Sequence, residues 1–151
     1  MKSALVMISC MHENINIIKK SNLYHDVLVI NQCDVDNAII RKFSNNIVWI
    51  DTPTRGLSRS RNIALKYAQN DICLIADDDE YFKDGIQEKV FNIFEAHPEA
   101  DVIVFPGINF GYKSDKGYHE LSFVELFHIN SKSIAIRLDS IKRRVSILML
   151  C

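Results

Sequence analysis

Four consecutive acids in the middle of the chain are the residues whose type and spacing point most directly to chemistry. Residues 72–76 are all apolar, and Asp77, Asp78, Asp79 and Glu80 follow them at once. An unbroken apolar run of this length is typical of a strand buried on both faces. Neighbouring carboxylates repel one another unless water or a cation screens them, and Mg²⁺ and Mn²⁺ prefer such oxygen ligands. The pattern predicts a divalent-metal site where a central strand ends, with an acidic turn that binds nothing as the alternative.

The spacing of these acids narrows the prediction. Asp77 and Asp79 form an Asp-x-Asp pair, and residues two apart in an extended chain point to the same side, so both are expected to face one metal. A calcium-binding loop is excluded, because Phe82 stands where that loop needs glycine. The phosphate-binding patterns GxxxxGK[ST] and GxGxxG and the hydrolase pattern GxSxG are absent from the sequence.

An arginine on the apolar side of a predicted helix is a second chemical clue. Residues 57–69 have helical periodicity, and at about 100° per residue Arg61 falls among the apolar side chains. A buried guanidinium is costly unless an anion is paired with it. Arg61 is therefore expected to meet an acid such as Asp77, an anionic ligand, or both. For Arg55 and Arg59, beside the start of this helix, solvated charge and contact with a phosphate both stay open.

The apolar pattern predicts a scaffold that brings these residues together. Strands are expected at 4–9, 26–31, 46–51, 71–76 and 101–106, and helices at 13–23, 36–43, 57–69 and 83–96. This alternation implies parallel strands with right-handed crossovers, whose ligands bind beyond the carboxyl ends of the strands. Asp34 or Asp36 is expected either to cap a helix or to hydrogen-bond a nucleotide. The polar strand ends expected along one edge are Ser9, Cys10, Asn31, Gln32, Asp51, Thr52 and the acids at 77–80.

Size and charge set the outer bounds. The chain has 151 residues, 48% of them apolar, and a net charge of −1. This suits one domain over residues 1–151 and provides no basic field for nucleic-acid binding. The four cysteines, at 10, 33, 73 and 151, match no metal or disulfide spacing, so free thiols are expected. No apolar run reaches the roughly 18 residues that span a bilayer. We expect a cytoplasmic protein, with peripheral attachment at the inner membrane face as the alternative.

Two motifs together resemble a known family. Residues 56–62 read Gly-Leu-Ser-Arg-Ser-Arg-Asn, and a predicted helix and strand separate them from the Asp-x-Asp pair. This order and spacing resemble family 2 glycosyltransferases with the GT-A fold. The resemblance implies a Rossmann-like α/β fold with a mainly parallel sheet flanked by helices. Residues 3–110 would bind a nucleotide sugar, and residues 111–151 would form an incomplete acceptor side.

The resemblance also implies roles for individual residues. The implied cofactor is Mg²⁺ or Mn²⁺, and the implied donor is a nucleoside-diphosphate sugar, with a UDP-sugar favoured. The acceptor would be an unidentified glycan or lipid-linked molecule of polysaccharide biosynthesis. Many members carry acids where this chain has Asn31 and Gln32. The expected nucleotide contacts are Ser9, Asn31, Gln32, Arg61, Asp77 and Asp78, with Cys10 beside them, the phosphate contacts are Arg55 and Arg59, and the metal ligand is Asp79.

The sequence does not assign a catalytic base. Inverting members use a carboxylate, usually in a Glu-Asp pair that this chain lacks, and Glu120, Glu125 and Asp139 are single candidates. The apolar ending at 146–151 predicts a chain cut short of the acceptor wall. The expected function is metal-dependent sugar transfer, with a non-catalytic nucleotide-sugar-binding remnant as the alternative. A phosphatase or receiver-like domain is disfavoured, because residues 7–11 place no acid after the first strand.

Overall fold

The computed structural model describes residues 3–105, 118–120, 134–139 and 147–150. Nine strands and three helices lie within these ranges. The strands are β1 (Ala4–Met11), β2 (Val27–Gln32), β3 (Ile39–Phe43), β4 (Ile47–Thr52), β5 (Ile72–Asp77), β6 (Val102–Val104), β7 (Tyr118–Glu120), β8 (Ile134–Arg137) and β9 (Ile147–Leu150). The helices are α1 (Asn16–Lys20), α2 (Leu57–Tyr67) and α3 (Ile86–Ala96).

The strands form one mixed sheet in the order β3-β4-β2-β1-β5-β8-β6-β9-β7. The adjacent strands β4, β2, β1 and β5 are parallel to one another. Their unbroken apolar runs are buried, because helices cover both faces of this part of the sheet. The parallel centre and the α/β fold class predicted from the sequence are confirmed.

Two apolar layers hold the helices against the sheet. On one face Ile17 of α1 and Phe94 of α3 pack in a cluster that includes Trp49 of β4. On the other face Ala64 of α2 packs in a separate cluster that includes Met7 of β1. Successive residues of each central strand therefore pack against helices on opposite faces of the sheet. The side chains at the strand ends also point alternately to the two faces.

The helix predicted at 36–43 is wrong. Residues Ile39–Phe43 form strand β3, which pairs antiparallel with β4 and is exposed along its whole length. Asn45 and Asn46 take left-handed conformations, with φ of +58° and +55°, and asparagine tolerates this region better than most residues. The turn at 44–46 thus closes a hairpin, and the β-branched pair at the start of β3 suits a strand.

The sheet also departs from the simple parallel alternation beyond β5. Strand β8 lies between β5 and β6 and is antiparallel to both. No described helix is long and apolar enough to cross a membrane.

Candidate functional site

The carboxyl ends of the parallel strands meet at one edge of the sheet and form an open cleft. Ser9 on β1 lies opposite Asp77 on β5, and Asn31 on β2 is paired with Cys10 on β1 and Asp51 on β4. The cleft has a volume of about 320 Å³, and the start of α2 borders it. The predicted gathering of strand-end residues at one edge is confirmed. The lining residues are Ser9, Cys10, Met11, Gln32, Arg55, Gly56, Leu57, Asp77, Asp78 and Asp79.

The acids lie in a tight turn at the end of β5. The backbone N–H of Asp77 donates to Glu80 Oε2 at 3.2 Å, and the N–H of Glu80 donates to the Asp77 carbonyl at 3.4 Å. These two bonds close a turn that leaves Asp78 and Asp79 exposed. Because β5 stops at Asp77, the alternation of side chains along a strand does not extend to Asp79. Strand alternation therefore does not decide where Asp79 points; both Asp77 and Asp79 line the cleft, and their facing one metal stays a prediction.

Arg61 joins α2 to this turn. Its Nη2 lies 3.5 Å from Asp77 Oδ1, and the two side chains are only 17% and 20% exposed. The predicted pairing of Arg61 with Asp77 is confirmed. Two charges so largely withdrawn from water interact more strongly than a surface pair, and the loss of either partner would leave a buried charge uncompensated. Contact between Arg61 and an anionic ligand stays a prediction.

Ser9 and Gln32 hold the first turn of α2 against the sheet. Ser9 Oγ lies 2.6 Å from Ser60 Oγ, and Gln32 Nε2 donates to Ser9 Oγ at 3.4 Å. The N–H of Gly56 donates to Gln32 Oε1 at 2.7 Å. Both predicted nucleotide contacts are thus engaged inside the protein, although both line the cleft. Their direct contact with a nucleotide stays a prediction.

Gly56 has a backbone conformation that glycine adopts far more readily than other residues. Its φ is +108° and its ψ is 139°, immediately before α2. Nothing lies within 4 Å of the position where a Cβ would sit. The backbone conformation, rather than a lack of space, therefore selects glycine here.

The side chain of Asn31 is held on the opposite face of the sheet. Its Nδ2 donates to Asp51 Oδ1 at 2.8 Å and to the Glu13 carbonyl at 3.2 Å. Its Oδ1 accepts the N–H of Glu13 at 3.0 Å. Asn31 is only 4% exposed, so its visible role is to join β2, β4 and the loop after β1. Nucleotide contact by Asn31 stays a prediction.

Asp51 is a buried carboxylate at the centre of this contact. Trp49 Nε1 donates to its Oδ1 at 2.7 Å, and the Arg41 guanidinium pairs with its Oδ2. Burial alone would raise the pKa of Asp51, but the hydrogen bonds from Trp49 and Asn31 and the charge of Arg41 outweigh it and lower the pKa. Asp51 is therefore ionised at neutral pH.

Arg55 is one of the predicted phosphate contacts, and it lines the cleft. Arg55 Nη2 donates to Asp34 Oδ1 at 2.5 Å, and its Nη1 donates to the Cys33 carbonyl at 3.0 Å. Asp34 pairs with Arg55, and no helix begins there for it to cap. Arg59 is exposed on α2. Phosphate contacts by Arg55 and Arg59 stay predictions.

The acidic turn fits a cation that also takes ligands from a bound phosphate. Asp78 and Asp79 present exposed carboxylates, whereas Asp77 is paired with Arg61. In the part of the chain that the structure describes, no three His, Cys, Asp or Glu side chains come together as a metal site. Mg²⁺ is commonly held by one or two carboxylates and completed by water and substrate phosphates, so this donor set suits it.

Two of the thiols, Cys10 and Cys73, are buried and resist ionisation. Cys10, Cys33 and Cys73 are free, as predicted, and Cys151 lies outside the described residues. Burial raises the pKa of Cys10 and of Cys73 to about 12, with nearby acids adding to the effect at Cys10. Both thiols are therefore protonated and unreactive at neutral pH.

Sequence reasoning missed three residues of the cleft region. Ser60 is fully buried one helical turn before Ala64, a spacing that marks it as part of the inner face of α2. Met11 and Leu57 line the cleft with exposed fractions of 54% and 43%. The sequence signal for these two was their position: Met11 follows the polar end of the first strand, and Leu57 follows Gly56.

Comparisons with known proteins identify a family that this chain matches. The family model for glycosyl transferase family 2 matches residues 9–147. The minor teichoic acid biosynthesis protein GgaB of Bacillus subtilis is 36% identical over 67 residues, which cover 44% of this chain and 7% of that protein. The poly(ribitol-phosphate) beta-N-acetylglucosaminyltransferase TarS of Staphylococcus aureus is 29% identical over 91 residues, which cover 56% of this chain and 16% of that protein.

Solved structures share the fold. The structure of S. aureus TarS 1–349 in complex with UDP-GlcNAc superposes with a TM-score of 0.65 at 20% identity, covering 94% of this chain and 47% of that one. The mannosyltransferase PcManGT of Pyrobaculum calidifontis, in complex with GDP-Man and Mn²⁺, gives a TM-score of 0.55 at 12% identity, covering 91% and 45%. The chain thus spans about half the length of these solved structures and less than a fifth of the curated relatives.

Proposed function

The chain belongs to glycosyltransferase family 2 and has the GT-A fold, and we propose on this basis that it binds a nucleoside-diphosphate sugar and transfers the sugar to a glycan or lipid-linked acceptor. A UDP-sugar is the favoured donor, since TarS has been solved with UDP-GlcNAc and with UDP. A glycan or lipid-linked acceptor is in keeping with the teichoic-acid and poly(ribitol-phosphate) names of the relatives.

One observation carries the proposal: exposed acids lie beside an arginine–aspartate pair at the carboxyl edge of a parallel sheet, and the aspartate of that pair lines the cleft. The pair is Arg61 with Asp77, and the acids are Asp78 and Asp79. A pyrophosphate brings negative charge to such an edge, and it needs a cation to lie beside carboxylates. A divalent cation held by the acids of this turn would supply the positive charge that both the carboxylates and a diphosphate need.

In the proposed function Asp79 would hold the cation, and Asp78 is its neighbour in the same exposed turn. A bound cation would supply neutralisation of the charge that grows on the departing nucleoside diphosphate. Asp77 holds Arg61 in place and keeps this cationic group close to the turn. Ser9 and Gln32 hold the start of α2, which forms one wall of the cleft.

The proposal assigns no catalytic base. Asp139 follows β8, whose register places Arg137 opposite Ile72 at the amino end of β5. That is the opposite edge of the sheet from Asp77, so Asp139 is a poor candidate. Glu120 lies on β7, the outermost strand on its side of the sheet, and Glu125 lies outside the described residues.

Calorimetry with UDP and MnCl₂ tests the proposal. We expect UDP to bind in the presence of Mn²⁺, and Asp79→Asn to weaken this binding by about 10- to 100-fold, because the variant loses a charged metal ligand. Glu95→Gln is the matched control, since it makes the same acid-to-amide change on the exposed face of α3.

Two outcomes would defeat the proposal. One is a wild-type chain that does not bind UDP with Mn²⁺, and the other is an Asp79→Asn variant that binds as tightly as the wild type. Binding of UDP-GlcNAc without hydrolysis or transfer to any acceptor would instead favour a non-catalytic nucleotide-sugar-binding protein.

A further inference from the structure

Gln32 lies at the floor of the cleft, where its amide joins the sheet to α2. It is the last residue of β2, is only 5% exposed, and bonds to Ser9 on one side and Gly56 on the other. We infer that Gln32 is a positioning residue, which acts through the Gly56 N–H to set the place of the first turn of α2 at the cleft.

The direction of each hydrogen bond in this contact follows from its neighbours. Ser60 donates its hydroxyl proton to the Leu57 carbonyl at 2.9 Å. The Ser60 oxygen must therefore accept the Ser9 proton in the 2.6 Å contact. The Ser9 oxygen is then the acceptor for Gln32 Nε2, and the amide oxygen of Gln32 faces the Gly56 N–H. This chain of bonds fixes one orientation of the Gln32 amide.

The Gly56 backbone, whose N–H donates to Gln32, is held in a position that needs support. Gly56 combines a positive φ with an extended ψ, a backbone conformation that the chain does not favour by itself. In addition, no side chain caps α2 at this end. The bond from Gly56 to Gln32, at 2.7 Å, is the short link that holds this backbone to β2. Leu57 follows directly and lines the cleft.

The same helix carries Arg61, which pairs with Asp77 at the end of β5. A shift of the first turn of α2 would therefore change both a cleft wall and the placement of this ion pair. Gln32 can affect ligand binding in this way without touching the ligand. The inference deepens the proposed function and rests on it for the binding measurement, but not for the exchange measurement.

Amide hydrogen exchange followed by NMR tests the positioning of Gly56 directly. In Gln32→Met the acceptor is lost while size is kept, and we expect the Gly56 amide to exchange about tenfold faster. Gln32→Glu keeps an acceptor for Gly56 and should keep most of the protection. Gln69→Met makes the same substitution at an exposed residue beyond α2 and should leave Gly56 unchanged.

Unchanged Gly56 exchange in Gln32→Met would overturn the inference. So would equal acceleration of exchange throughout β1, β2 and β5, because global destabilisation would then explain the result.

Calorimetry with UDP and MnCl₂ gives the functional readout. At a temperature where both proteins are folded, we expect Gln32→Met to bind about five- to tenfold more weakly than the wild type. Wild-type affinity in Gln32→Met, despite faster Gly56 exchange, would overturn the positioning role at the site. If the wild type does not bind UDP, the proposed function fails, and the exchange experiment alone decides whether Gln32 positions Gly56.

Discussion

The two edges of the central sheet carry similar polar residues but use them differently. At the amino edge Asp26 accepts hydrogen bonds from Asn46 at 2.6 Å and Asn70 at 3.2 Å, and His25 lies 2.9 Å from its other oxygen. Asn70 also donates to Ser3 Oγ at 2.5 Å. These contacts fasten the starts of β1 and β2 to the β3–β4 hairpin and to the loop before β5.

At the carboxyl edge some of the same residue types are buried in hydrogen bonds, and others are exposed to solvent. Asn31 and Asp51 form a buried fastening like that at the amino edge, whereas Asp78 and Asp79 are exposed on a turn beside the cleft. A polar strand end is therefore not in itself a functional site. The distinguishing feature is an acid that the fold presents to solvent at a cleft.

The largest expected effect comes from Asn31→Asp, which would replace the hydrogen bond between Asn31 and Asp51 by repulsion between two buried carboxylates. The new carboxylate would stand at the 2.8 Å contact with Asp51, and we expect the free energy of unfolding to fall by about 3 kcal/mol. Urea denaturation at pH 7 measures this. The double variant Asn31→Asp/Asp51→Asn restores one acid and one amide, and no recovery in it would contradict the charge-repulsion account.

Gly56→Ala should have the next largest effect, because it strains the backbone at the start of α2, where Gly56 borders the cleft. We expect a loss of about 2 kcal/mol of stability by urea denaturation. Gly85→Ala is the matched control, since Gly85 also has a positive φ of +72° and open space at its Cβ position, but lies before α3. Full stability in Gly56→Ala would show that its backbone relaxes freely.

Asp26→Asn tests whether the polar residues at the amino edge contribute to stability but not to ligand binding. It weakens the bonds to Asn46 and Asn70, and we expect a loss of about 1 kcal/mol of stability. The affinity for UDP with Mn²⁺ should stay unchanged, in contrast to Asp79→Asn. A loss of affinity in Asp26→Asn without a loss of stability would break the contrast between the two edges.

The smallest expected effect is the change with pH in the stability that the hydrogen-bonded carboxylates of Asp26 and Asp51 provide. Burial acts to raise the pKa of Asp26, but hydrogen bonds from Asn46, His25 and Asn70 outweigh it, and the pKa is lowered, as it is for Asp51. A lowered pKa gives stability that is complete above the unfolded value of about 3.9 and is lost as the pH falls through the folded value. The stability gap between wild type and Asp26→Asn, measured by urea denaturation, should therefore narrow below about pH 4. If the difference in stability between wild type and Asp26→Asn instead grew as the pH fell, a lowered pKa of Asp26 would be contradicted.

The sequence predicts the centre of this fold well because apolar runs report burial directly. Residues 72–76 read as a strand covered on both faces, and the position of Arg61 on its helix indicated an anionic partner, of which the internal one, Asp77, is observed. Parallel pairing then brings the strand ends together, so the edge of the sheet could be located without a structure.

The errors lie where distant residues decide the outcome. Strand β3 is exposed on both sides, so it lacks the alternation that marks a half-buried strand, and its pairing depends on the turn at Asn45 and Asn46. The bond from Gly56 to Gln32 joins residues 24 apart, and the contact between Ser9 and Ser60 joins residues 51 apart. No local pattern in the sequence reports such partners.

The single tryptophan of the chain gives this architecture a built-in optical reporter. Trp49 is 1% exposed, its indole N–H is bonded to Asp51, and the Arg41 guanidinium carbon lies 5.7 Å from its ring centre. Its fluorescence therefore arises from one place, the charged contact between the outer hairpin and the inner strands. Emission colour and quenching can thus be followed, with no added label, to see when the outer strands separate from the rest of the sheet.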